Sequence, residues 1–199
     1  MHFEATGKPA LSVFEHIRAP WLLLEAAFDA CEAAHDAEEG GSSPPSTVVR
    51  HAAVCVVLAV VALEGYINEF LQRHAKPSLW GVMQRLGIRN KWQLAPRLTG
   101  ADEEFQTDAP PWAKFSELVR MRNRIVHWAP PDPEKPGPAK EWGDYKTTVQ
   151  ELTSERASEA CRTACEMIWQ LHQLHGSNVL PGWGEFLERV EGPWREDTS

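Results

Sequence analysis

Apolar side chains recur every three or four residues over most of the chain, which is the period of an amphipathic helix. The pattern predicts long helices over residues 11–38, 46–74, 112–128 and 151–175, and a short one near residues 185–190. Between residues 80 and 98 the pattern breaks near Gly87, which predicts two short helices. No stretch shows a convincing strand alternation. The sequence therefore predicts an all-α helical bundle.

The second long helix contains an uninterrupted apolar run from residue 52 to residue 63. A helix that is apolar on all sides must be enclosed by other helices, so we expect this run to be almost fully buried. A membrane span needs about 20 apolar residues, and the run is shorter than that. The N-terminus also lacks the pattern of a signal peptide. We therefore expect a cytoplasmic protein with no membrane association.

Two loop-forming segments divide the chain. Residues 39–47 combine Gly, Ser and Pro, and residues 129–140 carry five prolines, which no helix or central strand accommodates. The first break, together with Gly176 at the end of the last long helix, predicts three units. Residues 1–45 form an N-terminal helix and loop that pack on the bundle, residues 46–176 form the helical core, and residues 177–199 form a short C-terminal extension.

Charge is distributed unevenly along an acidic chain with a formal net charge of −8. Residues 70–100 contain no Asp or Glu but six basic side chains, together with Trp80 and Trp92. Basic groups interleaved with aromatic rings suit phosphate pairing and base stacking on RNA. Core tryptophans beside solvated basic residues explain the same pattern and are the preferred alternative. The candidate RNA contacts are Arg85, Arg89 and Lys91, with Arg120 further along the chain.

The four cysteines show no CxxC spacing and fall in predicted helices, which favours a reducing compartment over a disulfide framework. Cys161, Cys165, His172 and His175 share the last long helix. They extend over about 21 Å at 1.5 Å per residue, too far for one metal ion. A stripe of small buried residues is the preferred interpretation. We predict no metal site and no cofactor.

Residues 118–128 carry the most informative side chains. On a helix, Asn123 and His127 lie one turn apart on the same face. Arg122 is about 140° away from His127 around an ideal helix, but its long side chain can swing toward it. Histidine exchanges a proton near neutral pH, and arginine offers a permanently charged fork to a phosphate. Because the RNA 2′-hydroxyl is a built-in nucleophile, these groups suit RNA cleavage without a metal. A His127 that caps the helix end among solvated arginines is the alternative.

The spacing Arg122-Asn123-x-x-x-His127 resembles the Arg-polar-x3-His motif of the HEPN superfamily. Residues 62–70 also resemble the second long helix of such proteins, in which an acidic residue approaches the motif. The resemblance extends over roughly residues 46–175. It implies an HEPN-like helical bundle with an extra N-terminal helix and a short C-terminal extension.

This resemblance also implies function. Arg122 and His127 would be catalytic and Asn123 supportive, and Glu64 would pair with Arg122 or Arg124; a Glu64 that faces solvent is the alternative. The implied activity is a metal-independent endoribonuclease in a toxin or phage-defence setting. It would act as a homodimer with the cleft at the interface and with an antitoxin or nucleotidyltransferase as a possible partner. The alternative functions are a non-catalytic HEPN module that binds a nucleotide or a partner protein, and a purely structural helical dimer.

Overall fold

Helices account for nearly all of the chain that the structure, a computed structural model, describes: residues 19–41, 45–127 and 146–176. These residues contain no strand, which confirms the all-α class. The helices are α1 (Ala19–Glu39), α2 (Pro45–His74), α3 (Trp80–Met83), α4 (Ile88–Thr99), α5 (Trp112–Val126) and α6 (Ser154–His175), with a 3-10 turn at Pro77–Leu79. Residues 146–151 are also helical. The predictions for residues 11–18, 129–140 and 185–190 lie outside the described residues.

Local capping explains where the helices begin and end. Gly87 precedes α4 in an extended conformation, which is where the sequence predicted a break. Gly176 ends α6 with a left-handed φ of 63°, a conformation that glycine adopts without a Cβ penalty. The predicted start of the last long helix was wrong by a few residues. The Thr153 side chain accepts a hydrogen bond from the Arg156 backbone N–H and so caps α6, which begins at Ser154.

Helix α2 lies at the centre and packs against α1, α4, α5 and α6. Leu63, Tyr66, Ile67 and Phe70 of α2 are fully buried in one continuous apolar core. Helix α1 approaches α2 closely at Gly65, where an added Cβ would lie 2.9 Å from Cγ of Pro20. This central position lets α2 contribute side chains both to the core and to the end of α5.

The expectation of almost complete burial for residues 52–63 was wrong for one side of α2. Seven of these residues are buried, four are partly accessible, and Val54 is 43% exposed. Val54, Val57 and Val61 follow helical spacing, so the accessible side chains form one stripe. The described helices that pack against α2 cover only part of its circumference. One side of the apolar run therefore stays accessible.

By length and composition, α2 also resembles a helix that could cross a membrane. Its most apolar 18-residue window has a mean hydropathy of 2.1, and 39% of that window is buried inside the structure. The core helix of a soluble protein meets the same criterion. Within the described residues, α2 contacts four other helices, and its Glu64 carboxylate pairs with Arg122 of α5.

Candidate functional site

Helix α5 positions the Arg122–His127 motif by burying its opposite side. Leu118, Val119 and Met121 face the core, while Asn123 and His127 are exposed. The helix ends at His127, whose backbone N–H donates to the carbonyl oxygen of Asn123 at 2.9 Å. The imidazole therefore lies at an exposed helix terminus, where it is accessible to solvent.

Arg122 is held by two neighbours. Its Nη2 donates to Oε2 of Glu64 on α2 at 3.1 Å, and its Nη1 donates to Oδ1 of Asn123 at 3.0 Å. The Arg122 side chain is only 18% exposed, and its Nε is buried without a partner among the described residues. Of the two arginines considered for Glu64, the structure thus selects Arg122. The hydrogen bond directs the Arg122 guanidinium toward Asn123, which lies one helical turn before His127.

Arg124 is oriented differently. Its Nη2 donates to Oε2 of Glu151 at 2.7 Å, which links α5 to the short helical segment that precedes α6. Arg124 is therefore paired away from Glu64. The pairing of Glu151 with Arg124 could not be predicted from the sequence. The two residues are 27 positions apart, and no periodic pattern connects them.

One face of α5 leads from His127 back along the helix. Ala113, Ser116, Arg120, Asn123 and His127 follow each other at spacings of three and four residues. Such spacing places all five on the same side of a helix. At 1.5 Å per residue this face is about 21 Å long. The exposed His127 therefore lies on the same face of α5 as Ser116 and Arg120 in the middle of the helix.

An open cleft of about 480 Å³ lies between α4 and α5 beside this face. Arg89 and Gln93 of α4 and Ser116 and Arg120 of α5 line it, with Thr107, Trp112 and Ala113. Ser116 is 7% exposed, and its Oγ has no hydrogen-bond partner among the described residues. Arg120 Nε donates to the Ser116 carbonyl at 3.2 Å. Two of the predicted RNA contacts, Arg89 and Arg120, therefore share one cleft that also contains an unpartnered hydroxyl.

The other basic and aromatic candidates lie elsewhere. Lys91 is 5% exposed, and its Nζ donates to Oδ1 of Asn68 at 2.8 Å, so its ammonium is directed into the protein. Arg85 is exposed in the turn after α3 and is not among the residues that line the cleft. Trp92 is fully buried and stacks on Tyr66 at a centroid distance of 6.1 Å. Trp80 is partly buried against the core. For Trp92, the preferred interpretation as a core tryptophan is confirmed.

The site combines a proton-transfer group with a fixed cation. His127 supplies the imidazole, and Arg122 supplies a guanidinium whose position is set by Glu64 and Asn123. The cleft adds two further arginines, Arg120 on the same face of α5 and Arg89 on α4. No protein-family model, no curated protein and no solved structure matches the chain.

Proposed function

We propose that this protein is an HEPN-type endoribonuclease that cleaves RNA by attack of the 2′-hydroxyl, without a metal ion. The observation that carries the proposal is the Glu64–Arg122–Asn123 network, whose Asn123 lies one helical turn before the exposed His127. Arginines on protein surfaces are usually mobile, whereas this one is fixed from two sides. Such fixation is what stabilisation of a charged transition state requires.

The reaction follows from the chemistry of these groups. His127 accepts the proton of the 2′-hydroxyl as its oxygen attacks the adjacent phosphorus. The bond from phosphorus to the 5′-oxygen then breaks, and that oxygen takes up a proton. The products are a 2′,3′-cyclic phosphate and a 5′-hydroxyl. Arg122 stabilises the negative charge that develops on the phosphorane.

The hydrogen-bond geometry leaves Arg122 able to do this. A guanidinium has five N–H donors, and Arg122 uses one on each terminal nitrogen for Glu64 and Asn123. Each terminal nitrogen therefore retains one N–H. Two parallel donors on adjacent nitrogens match two oxygens of one phosphate. In this proposal Glu64 and Asn123 are positioning residues that set the direction of the fork.

The cleft between α4 and α5 supplies an RNA-binding surface for the same reaction. Arg89 and Arg120 provide positive charge, and the exposed Gln93 provides a polar contact. Arg120 and His127 lie on one face of α5, about 10 Å apart along the helix axis. A short RNA strand that binds the cleft through its backbone can thus extend along α5 and present a phosphate to His127.

A second copy of the chain completes the proposed assembly. Val54, Val57 and Val61 form the accessible stripe of α2, and Glu64 follows at the same spacing. A homodimer that buries this stripe places its interface next to the Glu64–Arg122 pair of each subunit and encloses the two His127 side chains in one cleft. Light scattering is expected to give twice 22.4 kDa, and Val57→Glu or Val61→Glu is expected to give a monomer.

The HEPN resemblance extends the proposal to a cytoplasmic toxin or phage-defence protein, controlled by an antitoxin or nucleotidyltransferase.

The second candidate function is a non-catalytic module that binds a nucleotide. The observation that favours it is the cleft of about 480 Å³, in which two arginines would donate hydrogen bonds to the phosphates of a mononucleotide. Nucleotide binding without cleavage of any RNA would select this candidate.

The deciding experiment uses the purified chain and a pool of labelled RNAs in EDTA. We expect cleavage of RNA and not of DNA, with 2′,3′-cyclic phosphate ends. An RNA with 2′-O-methyl groups at the cleavage position should remain intact there. Cleavage of that RNA at the same position would show that the 2′-hydroxyl is not the nucleophile. His127→Ala, purified identically, is the control for contaminating nucleases, and His51→Ala is its matched histidine variant.

A further inference from the structure

Three cysteines from three different helices meet in the interior. Cys31 of α1, Cys55 of α2 and Cys161 of α6 place their Sγ atoms within 4.8 Å of one another. The Sγ atoms of Cys55 and Cys161 are 3.5 Å apart. All three side chains are fully buried. The fourth cysteine, Cys165, lies one turn further along α6 and is not part of this cluster.

The sulfur separations match those around a single bound cation. With metal–sulfur bonds of about 2.3 Å, three sulfurs in a trigonal arrangement lie about 4 Å apart. The observed separations reach from 3.5 Å to at most 4.8 Å, so shifts of a few tenths of an ångström would close the site. Each sulfur is already fixed by the packing of its own helix, which reduces the ordering that metal binding would require.

Polar groups reach the cluster from one side. Oγ of Ser158 lies 3.6 Å from Sγ of Cys31, and Nε2 of His35 lies 2.7 Å from the same Oγ. Cys55 Sγ also lies 3.4 Å from the Ala157 carbonyl oxygen, to which it donates. His35 is partly exposed, so this chain of contacts connects the buried sulfurs to the surface. It offers a route by which thiol protons can leave.

We propose that Cys31, Cys55 and Cys161 form a three-sulfur binding site for a soft monovalent cation, Cu(I). Thiolate ligands select soft cations such as Cu(I) and Zn(II) over Mg(II) and Ca(II). Structural zinc is almost always four-coordinate, and the cluster contains three candidate ligand atoms within 4.8 Å of one another. The Ser158 hydroxyl, which lies beside Cys31, is engaged with His35 and the Ser154 carbonyl. Three sulfurs without a fourth ligand fit Cu(I).

Binding involves no electron transfer. Each thiol that joins the metal loses its proton as the metal–sulfur bond forms, so apparent affinity should rise with pH. The bound cation would connect α1, α2 and α6 at one point. It would therefore stabilise the folded chain over the unfolded one by mass action.

The test is an anaerobic titration of the fully reduced chain with Cu(I) against a coloured Cu(I) chelator. Because the site is buried, a second sample is refolded in the presence of the metal. We expect one copper per chain to be retained through gel filtration, and a higher melting temperature. Cys55→Ala and Cys161→Ala should each lower the affinity about tenfold or more, since even residues that only orient metal ligands cost that much. Cys165→Ala should bind like the unmodified chain.

Three outcomes would overturn the proposal. Copper binding by Cys55→Ala and Cys161→Ala at the affinity of Cys165→Ala would place the metal elsewhere. Failure of both the titrated and the refolded chain to retain copper would show that the cluster is only packing. Tighter binding of Zn(II) than of Cu(I) would exclude the three-coordinate copper assignment. A disulfide between Cys55 and Cys161 is recognised separately, because its thiols return only with a reductant and not with a chelator.

Discussion

Helices pack through different kinds of side chain in two regions of the protein, one apolar and one charged. Where α1, α2 and α6 meet, the contacts are small and apolar, and Leu24, Ala59 and Ala164 are fully buried. At the far end of α5, helix contact is made through the half-buried ion pair between Arg122 and Glu64. The first region gives the fold its stability, and its side chains, the three clustered cysteines included, are shielded from solvent. The second contributes little apolar area, and its polar groups remain accessible to a ligand.

The largest effect is expected at the end of α5. His127→Ala removes the proton-transfer group, which typically costs about 10²–10⁴ in rate, and Arg122→Ala removes charge stabilisation worth about 10²–10³. Both variants should keep the helical circular dichroism spectrum. Arg122→Lys should be nearly as inactive as Arg122→Ala, because an ammonium lacks the fork geometry. Arg73→Ala is the control, since Arg73 forms a surface ion pair with Glu69. An Arg122→Lys variant with full activity would contradict the proposed role of the fork.

The second effect concerns the apolar region and compares two leucines of α1. Leu24 is fully buried and Leu22 is 51% exposed. Leu24→Ala should lower the free energy of unfolding by about 2–5 kcal/mol, because it removes buried methyl groups and leaves a cavity. Leu22→Ala should change it by about 0.5 kcal/mol or less. Urea unfolding of both variants measures the difference. Equal losses would mean that α1 is not packed as described.

The third effect is smaller and has opposite signs at two glycines. Gly65→Ala would place a Cβ 2.9 Å from the Pro20 ring, whereas a Cβ at Gly81 meets nothing within 4 Å. Overpacking costs about 1–3 kcal/mol, and alanine regains up to about 1 kcal/mol of helix propensity. We expect Gly65→Ala to destabilise the protein and Gly81→Ala to be neutral or stabilising. Thermal unfolding checks both, and a stabilising Gly65→Ala would show that α1 can yield at this contact.

The smallest effect on stability is expected for the carboxylates that hold the two motif arginines. Glu64→Gln and Glu151→Gln each weaken an accessible ion pair, which should cost about 1 kcal/mol or less. Their effects on RNA cleavage should differ. Glu64→Gln should lower kcat, by less than the roughly 100-fold that a misplacement of 1 Å costs, while Glu151→Gln should leave kcat unchanged. Equal kcat values for the two variants would remove Glu64 from the site.

Helix positions were largely predictable because period and capping are local properties. Gly87 and Gly176 mark helix boundaries in the sequence and in the structure. The burial of α2 was less predictable, since an apolar run shows only that a helix avoids water and not which neighbours cover it. Val54 illustrates the limit, being as apolar as its buried neighbours yet 43% exposed.

For the candidate site, the sequence indicated the pairing of Glu64 but left two arginines open. The choice of Arg122 depends on the angle between α2 and α5, which no local pattern contains. For Lys91, the charge suggested an exposed side chain. In the structure its ammonium instead donates to the Asn68 amide oxygen and is directed into the protein. The cysteine cluster was not predictable either. Cys31, Cys55 and Cys161 come from distant segments, and only helix packing brings their sulfurs together.

The packing of α6 has a consequence for how the polypeptide can be divided. Helix α6 is held by α1, α2 and α5, and Glu151 just before it is bonded to Arg124. A polypeptide cut between residues 127 and 146 would therefore yield two fragments that retain their mutual contacts. The larger fragment carries Arg122 and His127, and the smaller one supplies Cys161 and part of the interior wall. Neither is expected to fold alone, so the two would behave as halves of a complementation pair whose reassociation restores the helical circular dichroism spectrum.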